Sequence, residues 1–226
     1  MADNTLSILT PSVNNLAARV FVRAAGLDFE EVDVWGKKEE PDFVAKDPST
    51  LTPFLEEEGL PKSGLWESCA IMQYLANKHG LDEYYPTDPA ERAMVDSAMF
   101  YLVGTIYPLV ARATYPTLGF PQYAGEVATS DADDAMKEQA ARDAAEALAM
   151  PLEAYNKQFL DGKKMIGEKK PTIADIRMAV TLEFLDSIDY ELPAWAREHK
   201  EAVESALGDA YTEPATQVRE FVASVK

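Results

Sequence analysis

Thr52-Pro53-Phe54-Leu55-Glu56-Glu57-Glu58-Gly59 and, shortly after it, Leu65-Trp66-Glu67-Ser68-Cys69-Ala70-Ile71-Met72-Gln73-Tyr74-Leu75 form the stretch on which the fold turns. The first segment reads as a strand that runs into a glycine turn. Leu65-Trp66 is a second, short strand, and Glu67 to Lys78 carries Ala70, Ile71, Tyr74 and Leu75 at helical spacing with Gly80 as the stop. Upstream, Thr5-Leu6-Ser7-Ile8-Leu9-Thr10 is short, apolar and closed by Pro11, which predicts a strand. Leu16, Val20, Phe21 and Ala24 then follow a helical period up to Gly26, and Phe29 to Val34 alternates as a half-buried strand does. Strand, helix and strand within about thirty residues make a βαβ unit. A short helical stretch lies near Pro41 to Ala45.

Beyond Tyr85-Pro86-Thr87-Asp88-Pro89-Ala90-Glu91, a linker leading into a helix start, the strand signal disappears. Met94, Ala98, Tyr101, Leu102 and Thr105 continue at helical spacing, and Pro108 predicts a kink. Residues 113–125, with Pro116, Gly119, Pro121 and Gly125, read as a loop, and Asp131 to Leu160 as a long Ala- and Glu-rich helix bent at Pro151. Thr172-Ile173-Ala174-Asp175 has the pattern of a capping box, and the apolar run from Ile176 to Phe184 that follows predicts a buried central helix. The expected organisation is an α/β domain over 1–83, a linker over 84–91 and an all-helical domain over 92–226.

Composition narrows the function classes. The chain has 226 residues, 47% hydrophobic and 27% charged, an ordinary globular balance. Its 39 acidic against 21 basic side chains give a formal charge of −18, a field that repels phosphate backbones and argues against nucleic acid as a partner. No uninterrupted apolar run of membrane-spanning length is present, so no membrane partner is expected. The start Met1-Ala2-Asp3-Asn4 lacks the basic and apolar regions of a secretion signal, and the single cysteine, Cys69, permits no internal disulfide; both suggest a cytoplasmic location. Two histidines, His79 and His199, with that one cysteine make no familiar metal spacing, so no metal is expected.

Three segments in order resemble the cytosolic glutathione transferases: Asp47-Pro48-Ser49-Thr50-Leu51-Thr52-Pro53-Phe54-Leu55, Leu65 to Leu75, and Thr172 to Asp175. The likeness spans nearly the whole chain. Gly104-Thr105-Ile106-Tyr107 and Tyr115-Pro116 add a similarity to the delta and theta branch, while the loop after the first strand departs from it and leaves a bacterial relative open. The resemblance implies a thioredoxin-like N-terminal domain plus an all-α C-terminal domain, glutathione as co-substrate and a homodimer.

It also assigns roles. Glu67 and Ser68, where a strand becomes a helix, would hold the γ-glutamyl end of glutathione by pairing with its ammonium and donating to its carboxylate. Ser68 as a plain helix cap, with Glu67 in a favourable first turn, accounts for the same residues. Thr52 and Pro53 would form a cis bond that turns the strand edge outward to pair with the cysteinyl backbone; an ordinary edge-strand proline is the other account. Lys38, beside Lys37, would meet the glycine carboxylate or else is a solvated surface base. The thiolate donor falls in Thr10-Pro11-Ser12-Val13-Asn14-Asn15, which lacks Tyr and Cys; Ser12, Asn14 and Asn15 are the candidates in that order, with Thr10 behind them. Helix entry with one of these as N-cap is the competing role.

The electrophile site is expected on the helix carrying Tyr107, Val110, Ala111, Arg112, Thr114 and Tyr115, where packing in the core, or for Arg112 a surface ion pair, is the rival explanation. The implied reaction is conjugation of the glutathione thiolate to a small hydrophobic electrophile: an epoxide, a halide or an activated alkene. A glutathione-dependent reductase, isomerase or dehalogenase, and a non-catalytic assembly module of the same fold, are the alternatives.

Overall fold

The computed structural model describes residues 4–62, 64–120 and 134–226. Strand β1 (Asn4–Ile8) leads through a tight turn into α1 (Val13–Ala24), β2 (Glu30–Asp33) and the short α2 (Pro41–Lys46). Strands β3 (Phe54–Glu57) and β4 (Leu65–Trp66) follow, then α3 (Ser68–His79). The sheet order is β2-β1-β3-β4, with β1 parallel to β2 and antiparallel to β3, and β3 antiparallel to β4. The parallel pair is the expected βαβ unit, since α1 is long enough to carry the chain back across the sheet. Helix α3 stops where Gly80 takes a φ of 62°, and the Leu81 amide reaches back to the Ala76 carbonyl at 2.9 Å, a Schellman ending.

The rest of the described chain is helical: α4 (Pro89–Tyr101), a π segment (Leu102–Ile106), α5 (Tyr107–Leu118), α6 (Asp134–Ala147), α7 (Ala149–Tyr155), a second π segment (Asn156–Leu160), α8 (Ile173–Leu182), a 3-10 turn (Glu183–Ile188), α9 (Ala194–Leu207) and α10 (Asp209–Val225). Asp88 caps α4 by accepting from the Ala90 and Glu91 amides at 2.9 and 3.0 Å. Every residue of α8 is buried, and α1, α3, α4 and α9 all pack against it. Its start is a full capping box: Thr172 Oγ accepts from the Asp175 amide at 3.3 Å, and the Asp175 carboxylate accepts from the Thr172 amide at 2.7 Å.

Several expectations need correction. The expected loop over 113–125 is helix as far as Leu118. Pro116 sits in the last turn, where its missing N–H removes one ladder bond just before Gly119 ends the helix at a φ of 68°. The rest of that expectation, 121–125, lies outside the described residues. At Pro108 the irregularity is a π segment that ends just before it, a wider turn that absorbs a position where Pro cannot donate. The expected helix over 131–160 breaks between Ala147 and Ala149, whereas Pro151 fits the first turn of α7, whose amides need no intrahelical acceptor. Finally, Pro89–Leu118 is 30 residues of continuous helix, long and apolar enough by composition to cross a membrane, contrary to expectation. Scattered polar residues hide it from a search for unbroken apolar runs. In the fold it is a packing element against α6 and α8.

Candidate active site

The ends of β1 and β4 point at the same region, so the loops after them bring α1 and α3 together by their N-termini. Neither helix has a side-chain cap. Ser12 precedes α1 without bonding its amides, and the first ladder bond of α3 runs from the Ile71 amide to the Glu67 carbonyl at 2.9 Å. Two helix starts without side-chain caps are two sets of amide donors favourable to an anion. Glu67 holds this junction with a φ of 74° and a ψ of 112°, backbone that a residue with a Cβ adopts only under strain. Glu67 is exposed, whereas Ser68 is buried at 6% exposure. The N-cap position is therefore Glu67, and Ser68 is the first helical residue.

The bond between Thr52 and Pro53 is cis. The loop before it is ordered by Asp47, fully buried, whose carboxylate accepts from the Ser49 amide at 3.0 Å and the Ser49 hydroxyl at 2.5 Å. Thr52 is held from the other side, its hydroxyl accepting from Asn15 Nδ2 at 3.1 Å.

The four candidate donors after β1 part ways. Thr10 gives its hydroxyl and amide to Asp33. Asn15 is fully buried and serves the Thr52 loop, with its Oδ1 left without a partner. Asn14, half-buried, donates from Nδ2 to the Tyr107 hydroxyl at 2.7 Å and accepts at Oδ1 from Arg177. Ser12 is half-buried and no hydrogen bond of its side chain occurs among the described residues. Lys38 lies half-buried in the turn region before α2 with no ion pair there.

On α5 the hydroxyls of Tyr107 and Tyr115 lie 2.7 Å apart. Tyr115 is half-buried and stands edge-on to Phe120 and Phe184. Val110, Ala111 and Thr114 are fully buried, and Thr114 returns its hydroxyl to the Val110 carbonyl at 2.7 Å, so these three pack inside the helical half. Arg112 is exposed. The structure thus joins Asn14, Tyr107 and Tyr115 into one hydrogen-bonded row.

Sequence reading passed over Arg177, which closes this row from α8. It is 1% exposed, its Cζ stands 4.9 Å from the Tyr107 ring centroid, and its Nη1 donates to Thr181. The signal was available: a charged residue inside a helix that is apolar on all sides. Cys69, beside it, has its thiol pKa pushed up by burial, partly offset by the Arg177 guanidinium and by Ser68. Among the described residues no cluster of His, Cys, Asp and Glu could hold a metal.

Comparison with known proteins fits this arrangement. The family model of the glutathione S-transferase N-terminal domain matches residues 5–77. Glutathione S-transferase D7 of Anopheles gambiae is 31% identical over 163 residues, covering 72% of this chain and 66% of its own length. Glutathione S-transferase D6 of Drosophila melanogaster is 26% identical over 188 residues, covering 81% of this chain and 78% of its own. The solved human glutathione transferase theta-2, in complex with glutathione and an unknown ligand, superposes with a TM-score of 0.80 at 20% identity, over 98% of this chain and 90% of that one. The chain belongs to the cytosolic glutathione transferase family, with its thioredoxin-like and all-helical halves, and is an enzyme of that class.

Proposed function

We propose that this enzyme binds glutathione across the starts of α1 and α3 and transfers its thiolate to a small hydrophobic electrophile. The observation that carries the reading is the convergence, on one side of the sheet, of two helix starts without side-chain caps, a strained Glu67 and a Ser12 hydroxyl with no described protein partner. Glu67 takes the glutathione ammonium, Ser68 and the α3 amides its γ-glutamyl carboxylate, and Lys38 the glycine carboxylate. The Thr52 backbone pairs with the cysteinyl unit as an added strand does. Ser12 donates to the sulfur, with the second N–H of Asn14 beside it. These local donors act against the acidic field of the whole chain.

In the reaction the thiolate sulfur forms a bond to carbon as the carbon–oxygen or carbon–halogen bond breaks, and the leaving atom keeps the electron pair. A halide departs as the anion. An epoxide oxygen takes a proton from Tyr115, which solvent restores, so epoxides are a favoured class and detoxification of such compounds a fitting role. Tyr107 and Arg112 line the approach. The domain boundary falls at 84–91 and the enzyme works in the cytoplasm as a homodimer. In support of the dimer, Trp66, Met94 and Phe100 are large apolar side chains open to solvent. Calorimetry of glutathione binding, on the parent and on Ser68→Ala at two pH values, tests the site. Binding that weakens in the variant supports it; no binding by the parent overturns it.

A further inference from the structure

Arg177 is a buried cation with no described anionic partner. It meets the Thr181 hydroxyl, the Asn14 carbonyl oxygen, the Tyr107 ring face and the Cys69 thiol, all neutral groups, and its Nε has no hydrogen-bond partner. No carboxylate pairs with it among the described residues, in a chain with 18 more acids than bases. The contrast with other buried charges in the molecule is direct: Arg19 is held by Glu31 at 2.9 Å, and Glu183 by Lys200 and Arg219 at 2.9 and 2.7 Å. Taking a charge out of water without a counter-charge costs several kcal/mol in a protein interior, so such a group persists where an anion arrives to balance it.

The hydrogen-bond directions fix which way the Asn14 amide faces. Arginine only donates, so the Asn14 atom facing it is the carbonyl oxygen, and the amide nitrogen must face the other way. One N–H goes to the Tyr107 hydroxyl. The other has no acceptor among the described residues, and Asn14 lies in the first turn of the helix that Ser12 precedes. A cation bonded to Oδ1 also draws electron density through the amide and strengthens both N–H donors.

We propose that Arg177 is a positioning residue for the bound glutathione thiol: through the Asn14 amide it supplies the positive charge that keeps the sulfur as thiolate. This rests on the glutathione reading above and adds to it a group from the helical half of the molecule. Arg177 never touches the sulfur. It fixes which way Asn14 points and brings an unbalanced charge near the place where the negative charge resides.

Most of the other titratable groups around α8 are in contact with Arg177 or closed in their own bonds; Tyr155 on α7, fully buried and interacting electrostatically with Asp175, keeps a hydroxyl without a hydrogen-bond partner. Cys69 on α3 and Tyr107 on α5 touch it. Asp96 on α4 is bonded to Gln73 and Tyr85, His199 on α9 to the carbonyls of Lys164 and Asp175, Arg19 on α1 to Glu31, and Asp175 to its own cap. Glu67, exposed at the start of α3, faces the bound ammonium in the reading above.

The test is the thiol titration of bound glutathione, followed by ultraviolet thiolate absorbance and by the pH profile of kcat/KM. It is made on the parent, Arg177→Met and Arg177→Lys, with S-methylglutathione affinity as the control that lacks an ionisable thiol. Removing a nearby positive charge disfavours the anion, so in Arg177→Met the bound thiol pKa rises by about one unit or more. Activity then falls about tenfold below that pKa and recovers at higher pH. S-methylglutathione still binds as in the parent, and Arg177→Lys stays near the parent because the charge is kept. Should Arg177→Met fail to fold, Arg177→Gln, which keeps a donor and loses the charge, takes its place. A bound thiol pKa that does not move in the charge-free variant, or that moves equally in Arg177→Lys, overturns the role of Arg177 and leaves the glutathione site standing. A parent that binds neither glutathione nor S-methylglutathione overturns both.

Discussion

Asp175 and Arg177 sit two residues apart on α8, both buried and both charged by type, and they are treated in opposite ways. The Asp175 carboxylate accepts from the amides of Thr172, Ile166 and Gly167 at 2.7, 2.8 and 3.1 Å and from the Thr172 hydroxyl at 2.8 Å. Arg177 meets neutral groups and leaves a nitrogen without a partner. The first region is closed: two bonds tie the loop over 164–171 to the start of the central helix, and two close the cap at Thr172. The second is open, and opens towards the loop after β1. A buried charge that is fully matched belongs to the architecture; one that is not matched marks the place where something else binds.

The comparison breaks most sharply at Asp175. Asp175→Ala leaves three amides and a hydroxyl without their acceptor, and a loss of about 3–5 kcal/mol follows from several buried, charge-assisted bonds lost at once. Urea unfolding measures it. A loss below about 1 kcal/mol would mean that the closed region is not what anchors α8. Glutathione affinity per folded molecule stays unchanged.

Glu183, in the 3-10 turn after α8, sharpens the same point through pH. Burial pushes its pKa up, but Arg219 and Lys200 outweigh burial and the net shift is downward. A depressed folded pKa means that the unfolded chain binds the proton more readily. The stabilisation is therefore fully present above the ordinary carboxylate value of about 4.3 and is lost as pH falls through the lower folded value. Glu183→Gln costs about 2–3 kcal/mol at neutral pH, because Lys200 and Arg219 lose their buried partner and keep only the more exposed Asp186 and Glu204, and it flattens the acid limb of the stability curve. An acid limb identical to the parent's would show that other carboxylates set it.

Within the candidate site, Asn15 and Ser12 stand on opposite sides of the divide although three residues apart. Asn15→Ala removes the bond to Thr52 and should cost about 1–2 kcal/mol of stability, with a weaker grip on the cysteinyl backbone. Ser12→Ala touches no described hydrogen bond, so thermal unfolding moves by less than the equivalent of about 0.5 kcal/mol while the bound thiol pKa rises. A large stability loss in Ser12→Ala would make it a structural cap after all.

How much of this was legible in the sequence follows the range of the signals. The βαβ unit and the Thr172 to Asp175 cap could be read because each is set by residues close along the chain. So could the burial of α8, where apolar residues on all sides leave no solvent face. The helix through Pro116 was not legible, because proline in a last turn reads the same as proline in a loop. The break near Leu148 carries no breaker residue, and α7 starts there within an Ala-rich run that favours helix on both sides. In the site, residue types gave the list Thr10, Ser12, Asn14 and Asn15. Only the partners Asp33, Tyr107, Thr52 and Arg177, which lie far along the chain, separate those already bonded within the fold from Ser12.

The smallest expected effect lies at Glu67, where stability and binding should move in opposite directions. At a φ of 74° the Glu67 side chain strains the backbone, by about 1 kcal/mol or more for a residue with a Cβ, and the exposed side chain offers no burial to offset this. Glu67→Gly relieves the strain but gives the unfolded chain more freedom, about 0.5–1 kcal/mol against folding. The net gain is a few tenths of a kcal/mol at most, whereas Glu67→Ala keeps the strain and gains nothing. Both variants lose the carboxylate that pairs with the glutathione ammonium, so both should weaken glutathione binding by a similar factor, about tenfold for one charge-assisted contact. Measuring stability and affinity on the two variants together separates the backbone from the charge. If Glu67→Gly binds as the parent does, the carboxylate is not a glutathione contact and the strain at this junction serves only to turn β4 into α3.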